Sequence, residues 1–133
     1  MSKLAFVFPG QGSQKIGMLA DLAASYGEIG ETFREASDVL GYDMWNMVQE
    51  GTQDEINLTE RTQPILLTSS VAIWRAWCAK SELKPSLMAG HSLGEWSALV
   101  CSDTVDFSDG LRIVQARGQY MQKAVPVGEG AMA

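Results

Sequence analysis

No apolar run in this sequence approaches the ~18 residues that a bilayer span requires, so no membrane helix is expected. The opening Met1-Ser2-Lys3, then five apolar residues and Pro9, is too short for the apolar core of a secretory signal. A soluble, cytoplasmic protein is expected. Basic clusters are missing as well. Ten Lys and Arg are scattered among sixteen Asp and Glu, a net charge of −6. With no basic run to neutralise phosphates, a nucleic-acid partner is not expected. Cysteine is scarce: Cys78 and Cys101 lie in apolar stretches, without C-x-x-C spacing or a metal cluster, and read as buried free thiols. Histidine is scarcest. The single one, His91, directly precedes Ser92. Neighbouring side chains in an extended turn point apart, so His91 is badly placed to take a proton from Ser92.

What is present is enough for one domain. At 133 residues and 46% hydrophobic content the chain buries roughly two-thirds of its unfolded surface. Its organising stretch runs from Leu87 to Val100. Leu87-Met88-Ala89 has the composition of a short strand and Leu93–Val100 that of a helix, with Gly90-His91-Ser92-Leu93-Gly94 between them. This is a Gly-x-Ser-x-Gly turn. A sharp strand-to-helix reversal strains its central residue, and the flanking glycines remove the bulk that would block it. The Ser92 hydroxyl is then presented beside the free N–H groups of a helix start, a placement suited to a nucleophile.

Leu4–Phe8, closed by Pro9-Gly10, reads as a parallel strand buried on both faces. The glycine-rich stretch from Gly10 to Gly17 fits neither phosphate-binding template: Lys15 stands where a dinucleotide fingerprint needs glycine, and Met18-Leu19 where a P-loop needs Lys-Ser/Thr. What remains is a tight loop carrying the Gln11 backbone N–H to the carboxyl end of the sheet, where open α/β folds place their sites. Met18–Tyr26 and Ile29–Leu40 read as amphipathic helices separated by Gly27, the second stopped by Gly41. Tyr42–Asn57 reads as irregular, with one or two helical turns, its methionines and Trp45 assigned to the core. Thr59–Gln63 reads as polar loop and Pro64 as a first-turn proline opening a deeply packed helix to Lys80. Gln63 is expected to cap that helix at the surface, the alternative being that it faces the site.

Asp106 is the expected cap of the last helix, with Asp109 at its third position. Phe107, Leu111, Val114, Gly118, Met121 and Val125 make an apolar seam, and Ile113, Tyr120 and Ala124 a second stripe containing Arg117. Arg112 lacks such flanks and is read as solvated. An arginine on a partly buried face must find an anion, either a structural Asp or Glu or a ligand.

Three separated pieces, Phe8-Pro9-Gly10-Gln11-Gly12-Ser13-Gln14, Thr62-Gln63-Pro64, and Gly90-His91-Ser92-Leu93-Gly94-Glu95 with Arg117 downstream, resemble the malonyl-CoA:acyl-carrier-protein transacylases of bacterial fatty-acid synthesis. The resemblance runs over the whole chain. It implies an α/β fold, a parallel sheet flanked by helices in a hydrolase-like large subdomain, with a small ferredoxin-like insert missing. Residues 1–125 would be the first part of the large subdomain and 126–133 the truncated start of the small one. The family's catalytic histidine and a second glutamine would lie in a part absent here. By the same resemblance Ser92 is the nucleophile, Gln11 and Leu93 give backbone N–H groups to the oxyanion, Arg117 grips the malonyl carboxylate, and Met121 lines the acyl pocket. His91 is scaffold, and Trp96 replaces a common tyrosine. No cofactor is implied; coenzyme A enters as a thioester substrate. The implied partners are malonyl-CoA, acyl carrier protein and the remainder of the protein's own chain. Two other readings stand beside this one. A serine esterase or thioesterase would use the same turn but leave Arg117 without a task, and a non-catalytic fragment would fold only with its remainder.

Overall fold

A computed structural model of the chain describes residues 3–130. Its two strands, β1 (Ala5–Phe8) and β2 (Leu87–Gly90), pair in parallel, with Ala5 opposite Leu87 and Phe8 opposite Gly90. Parallel pairing needs a long crossover, supplied by α1 (Ala20–Ser25), α2 (Gly27–Leu40), α3 (Met44–Glu50), α4 (Gln53–Ile56) and α5 (Thr59–Lys80); α6 (Leu93–Cys101) and α7 (Phe107–Ala124) follow β2. This is the expected α/β arrangement.

The sheet departs from expectation in one respect. Phe8 is buried and Phe6 meets Trp74 and Trp77 edge-on at 5.4 and 5.3 Å, but the opposite face is bare, with Val7 78% and Leu87 64% exposed. Residues alternate across a strand, and the helices of this segment cover only the face of Phe6, Phe8 and Met88.

The core is built around α5. Every residue from Thr62 to Ala72 is buried, as for a helix packed on all sides. Ile65, Leu66 and Leu67 meet a core that includes Ile29 and Phe33 of α2, Met44 and Val48 of α3, and Leu111 and Val114 of α7. Here Thr59–Gln63 is helix rather than loop. The Leu58 carbonyl accepts from the Arg61 and Thr62 amides at 2.8 Å each, and the Thr62 hydroxyl adds a third bond at 3.0 Å. Pro64 is therefore the helix's sixth residue, tolerated because its missing donor would have served a carbonyl still in the opening turn.

Tyr42–Asn57 contains two capped helices. Asp43 accepts from Asn46 N at 3.0 Å and Thr52 from Glu55 N at 3.2 Å, and Thr52-x-x-Glu55 is a capping signature readable in the sequence. Tyr26, extended at φ −133°, separates α1 from α2, and Gly27 is the first residue of α2. The expected start at Met18 gives way to Ala20 because Leu19 takes a left-handed conformation. Gly41 ends α2 as expected.

On α7 the seam holds for Phe107, Leu111, Val114 and Gly118, all buried. It fails at Met121 and Val125, 41% and 50% exposed, and along the second stripe, where Ile113 is 39% and Tyr120 71% exposed. Those residues lie on the outward face or beyond the helices that cover α7. Asp106 holds the cap position without a side-chain cap bond. Arg112 is not free but lies 3.6 Å from Asp109, both well exposed. Of residues 126–133, expected to start the small subdomain, Ala131, Met132 and Ala133 lie outside the described residues. Among the described residues no helix is long and apolar enough to cross a membrane.

Candidate active site

The turn between β2 and α6 is as tight as its sequence requires. A Cβ on Gly90 would collide with the Gly94 carbonyl, and one on Gly94 with the Phe8 carbonyl. The two glycines thus let α6 start directly against the ends of both strands. Ser92 sits between them at φ 54°, ψ −114°, a strained conformation that costs on the order of 1–3 kcal/mol. His91 N donating to Phe8 O at 3.3 Å and Gly94 N to His91 O at 2.9 Å hold it there. Ser92 is exposed, as its proposed role requires. His91 is also exposed and makes no hydrogen bond to Ser92.

The Gly10–Gly17 loop lies beside this turn because β1 and β2 are paired. It is clasped from the other side. Gln14 reaches Asn57 at 2.9 Å, Gln53 reaches the same Asn57 oxygen at 2.9 Å, Ile16 N donates to Gln53 at 3.2 Å, and Gly17 N to Val48 O at 2.9 Å. Sequence reasoning missed this amide clasp, since Gln53 and Asn57 carry no motif. Gln11, half-buried, donates its side-chain amide to Thr59 at 3.4 Å. Neither the Gln11 nor the Leu93 backbone N–H is taken by a backbone carbonyl among the described residues. Both lack a hydrogen-bond partner among the described residues, Leu93 as the first residue of a helix.

Arg117 crosses from α7 to the turn. Its Nη2 donates to Ser92 Oγ at 3.2 Å and its Nη1 to Gln63 Oε1 at 2.9 Å. Neither partner is an anion: the ion pairs among the described residues are Arg75–Glu35 and Arg112–Asp109. The structural salt bridge left open by the sequence is thus absent from the described residues, and Arg117 keeps an uncancelled positive charge next to the serine. Gln63 is 1% exposed and no surface cap; its other amide end donates to Met121 Sδ at 3.1 Å. The approach depends on Gly118, where a Cβ would stand 2.7 Å from Thr59 O. Ser92, Arg117, Met121 and Gln63 are therefore linked by contacts between the β2–α6 turn and two helices, α5 and α7. No proton acceptor is hydrogen-bonded to Ser92 Oγ among the described residues, since Arg117 only donates.

The family model for the acyl transferase domain matches residues 5–133. The chain belongs to the acyl transferase domain family. A malonyl CoA-acyl carrier protein transacylase of Escherichia coli K12 is 59% identical over 133 residues, all of this chain and 43% of that protein. Among solved structures, an acyl carrier protein S-malonyltransferase from Vibrio cholerae is 57% identical with a TM-score of 0.92, covering 96% of this chain and 42% of that one. A malonyl-transacylase in complex with its type II PKS acyl-carrier protein is 60% identical, also with a TM-score of 0.92, over 94% of this chain and 40% of that one. The acyl transferase segment described here thus spans less than half the length of the curated relatives it matches. That fraction accords with a serine that has its strained turn but no hydrogen-bonded base among the described residues.

Proposed function

We propose that this acyl transferase segment is the N-terminal part of a cytoplasmic enzyme of fatty-acid synthesis. The enzyme moves a malonyl group from coenzyme A to the phosphopantetheine thiol of acyl carrier protein. Residues 1–125 would open its large subdomain, and 126–133 would lead into the small one. The observation that carries the reading is Arg117: a cation with no carboxylate partner among the described residues, 3.2 Å from the serine of a strained turn, fits a substrate with a thioester at one end and a carboxylate at the other.

In the first half-reaction Ser92 Oγ attacks the thioester carbonyl. Its proton passes to a base outside this segment, where the family resemblance puts a histidine. The carbonyl oxygen takes up negative charge between the Gln11 and Leu93 N–H groups, each worth about 3 kcal/mol when well aimed. Collapse breaks the C–S bond, and coenzyme A leaves as the thiol after taking the proton. The carrier thiol then attacks the malonyl-serine ester by the same route in reverse and restores the hydroxyl, a ping-pong cycle. Arg117 holds the far carboxylate bidentately throughout, and Met121 borders the acyl chain. The cycle calls for no cofactor beyond the thioester substrate.

The test is acyl transfer by the chain completed to the length of its relatives. Malonyl-CoA should label the enzyme covalently, a pantetheine thiol should release the label, and Ser92→Ala should abolish it. Water as the main acceptor would replace this reading with a serine thioesterase. A label persisting in Ser92→Ala would move the nucleophile elsewhere.

A further inference from the structure

Gln63 lies against two residues of α7, Arg117 and Met121, and the first of these reaches Ser92. Both ends of its buried amide are used, Oε1 by Arg117 at 2.9 Å and Nε2 by Met121 at 3.1 Å. The contact to Arg117 fixes the amide's orientation, because only an oxygen can accept from a guanidinium. Two properties follow. An arginine side chain is long and gives up much rotamer freedom when ordered; fixing Nη1 orders it before a ligand arrives. An amide also does this without charge. A carboxylate of the same shape would form a buried ion pair with Arg117 and cancel the charge available to a substrate.

From this arrangement we infer that Gln63 is a positioning residue that sets acyl specificity: it aims Arg117 while leaving its charge uncancelled, so that acyl groups ending in a carboxylate are taken over neutral ones of similar size. This deepens the reading above and rests on it. Gln63 touches no reacting atom; it acts through Arg117.

The experiment uses the full-length enzyme with Gln63→Glu, Gln63→Met and Arg117→Ala, each assayed for KM and kcat with malonyl-CoA and acetyl-CoA. Gln63→Glu keeps the side-chain shape and gains Arg117 as an ionic partner, so it folds even if Gln63→Met does not. Its KM for malonyl-CoA should rise at least tenfold while both constants for acetyl-CoA stay within about twofold of wild type. Gln63→Met should show the same selective loss, smaller, because the charge remains but is no longer aimed. Equal losses for the two thioesters, or an unchanged malonyl-to-acetyl ratio, would overturn the inference. The two failures are distinguishable. If Arg117→Ala collapses the ratio and the Gln63 variants do not, only the role of Gln63 falls; if the wild-type enzyme transfers no malonyl group, the functional reading falls and this inference with it.

Discussion

The guanidinium of Arg117 lies 3.2 Å from the hydroxyl of Ser92, although the two are 25 residues apart. Between them the chain completes α6, turns and runs about three turns up α7. Gly118 then lets α7 settle on the first turn of α5. Two helix-packing contacts thus decide where the cation points. A buried or partly buried arginine ordinarily has a carboxylate; here its partners are a hydroxyl and an amide, and the charge stays available.

Removing that charge should be selective. Arg117→Ala in the full-length enzyme is expected to cost malonyl transfer about 2–3 kcal/mol, the loss of a charged hydrogen-bonded contact. Acetyl transfer should be nearly unaffected. The ratio of kcat/KM for the two thioesters reads this directly, and equal losses would remove Arg117 from the acyl pocket.

The segment of residues 1–133 by itself should not turn over. Ser92 has the strained backbone and two unpartnered N–H groups nearby, but the only hydrogen-bond partner of its hydroxyl among the described residues is a donor, and an unactivated serine is a poor nucleophile. Steady-state transfer to a pantetheine thiol by rigorously purified segment would contradict this.

Val7 and Leu87 lie on the bare face of the sheet. In the isolated segment that face should bind a hydrophobic dye, and replacing both residues by lysine should improve solubility. In the full-length protein, where further chain is expected to cover the face, each replacement should destabilise by about 1.5–3 kcal/mol or more, the transfer cost of a buried aliphatic side chain. A lowered melting temperature in the full-length protein, with none in the segment, is the expected result; a bare face in both would give no loss in either.

Cys101 is buried and its thiol is pushed up to about 12, chiefly by loss of solvent, with Cys78 adding to the rise. At pH 8 a thiol reagent should therefore leave Cys101 unmodified in the folded protein and react with it only after denaturation. The linkage has a definite sign. The folded state keeps this proton between the ordinary thiol range and about pH 12 while the unfolded state loses it, so the contribution is present below pH ~8.5 and falls as pH rises beyond it. Unfolding free energy should decline less steeply on the alkaline side in Cys101→Ala.

The turn at Gly90–Gly94 was legible in the sequence because its chemistry is local: a strand, two glycines, a serine and a helix within fourteen residues force one geometry. The Phe107–Val114 seam was legible for a related reason, since helical period marks the side that is buried there. Pro64 misled, because a first-turn proline and one five residues inside the helix differ only in whether Leu58 is free to accept the opening bonds. The second α7 stripe misled because period cannot say which neighbours a face meets.

What the sequence by itself determined is that a serine would be held strained and exposed at the start of a helix, and that no histidine here would serve it. Only tertiary structure decided that Arg117 meets no carboxylate among the described residues and that Gln63 lies buried behind it. Backbone geometry acts over a few residues, whereas the partners of a long charged side chain depend on which helices pack together.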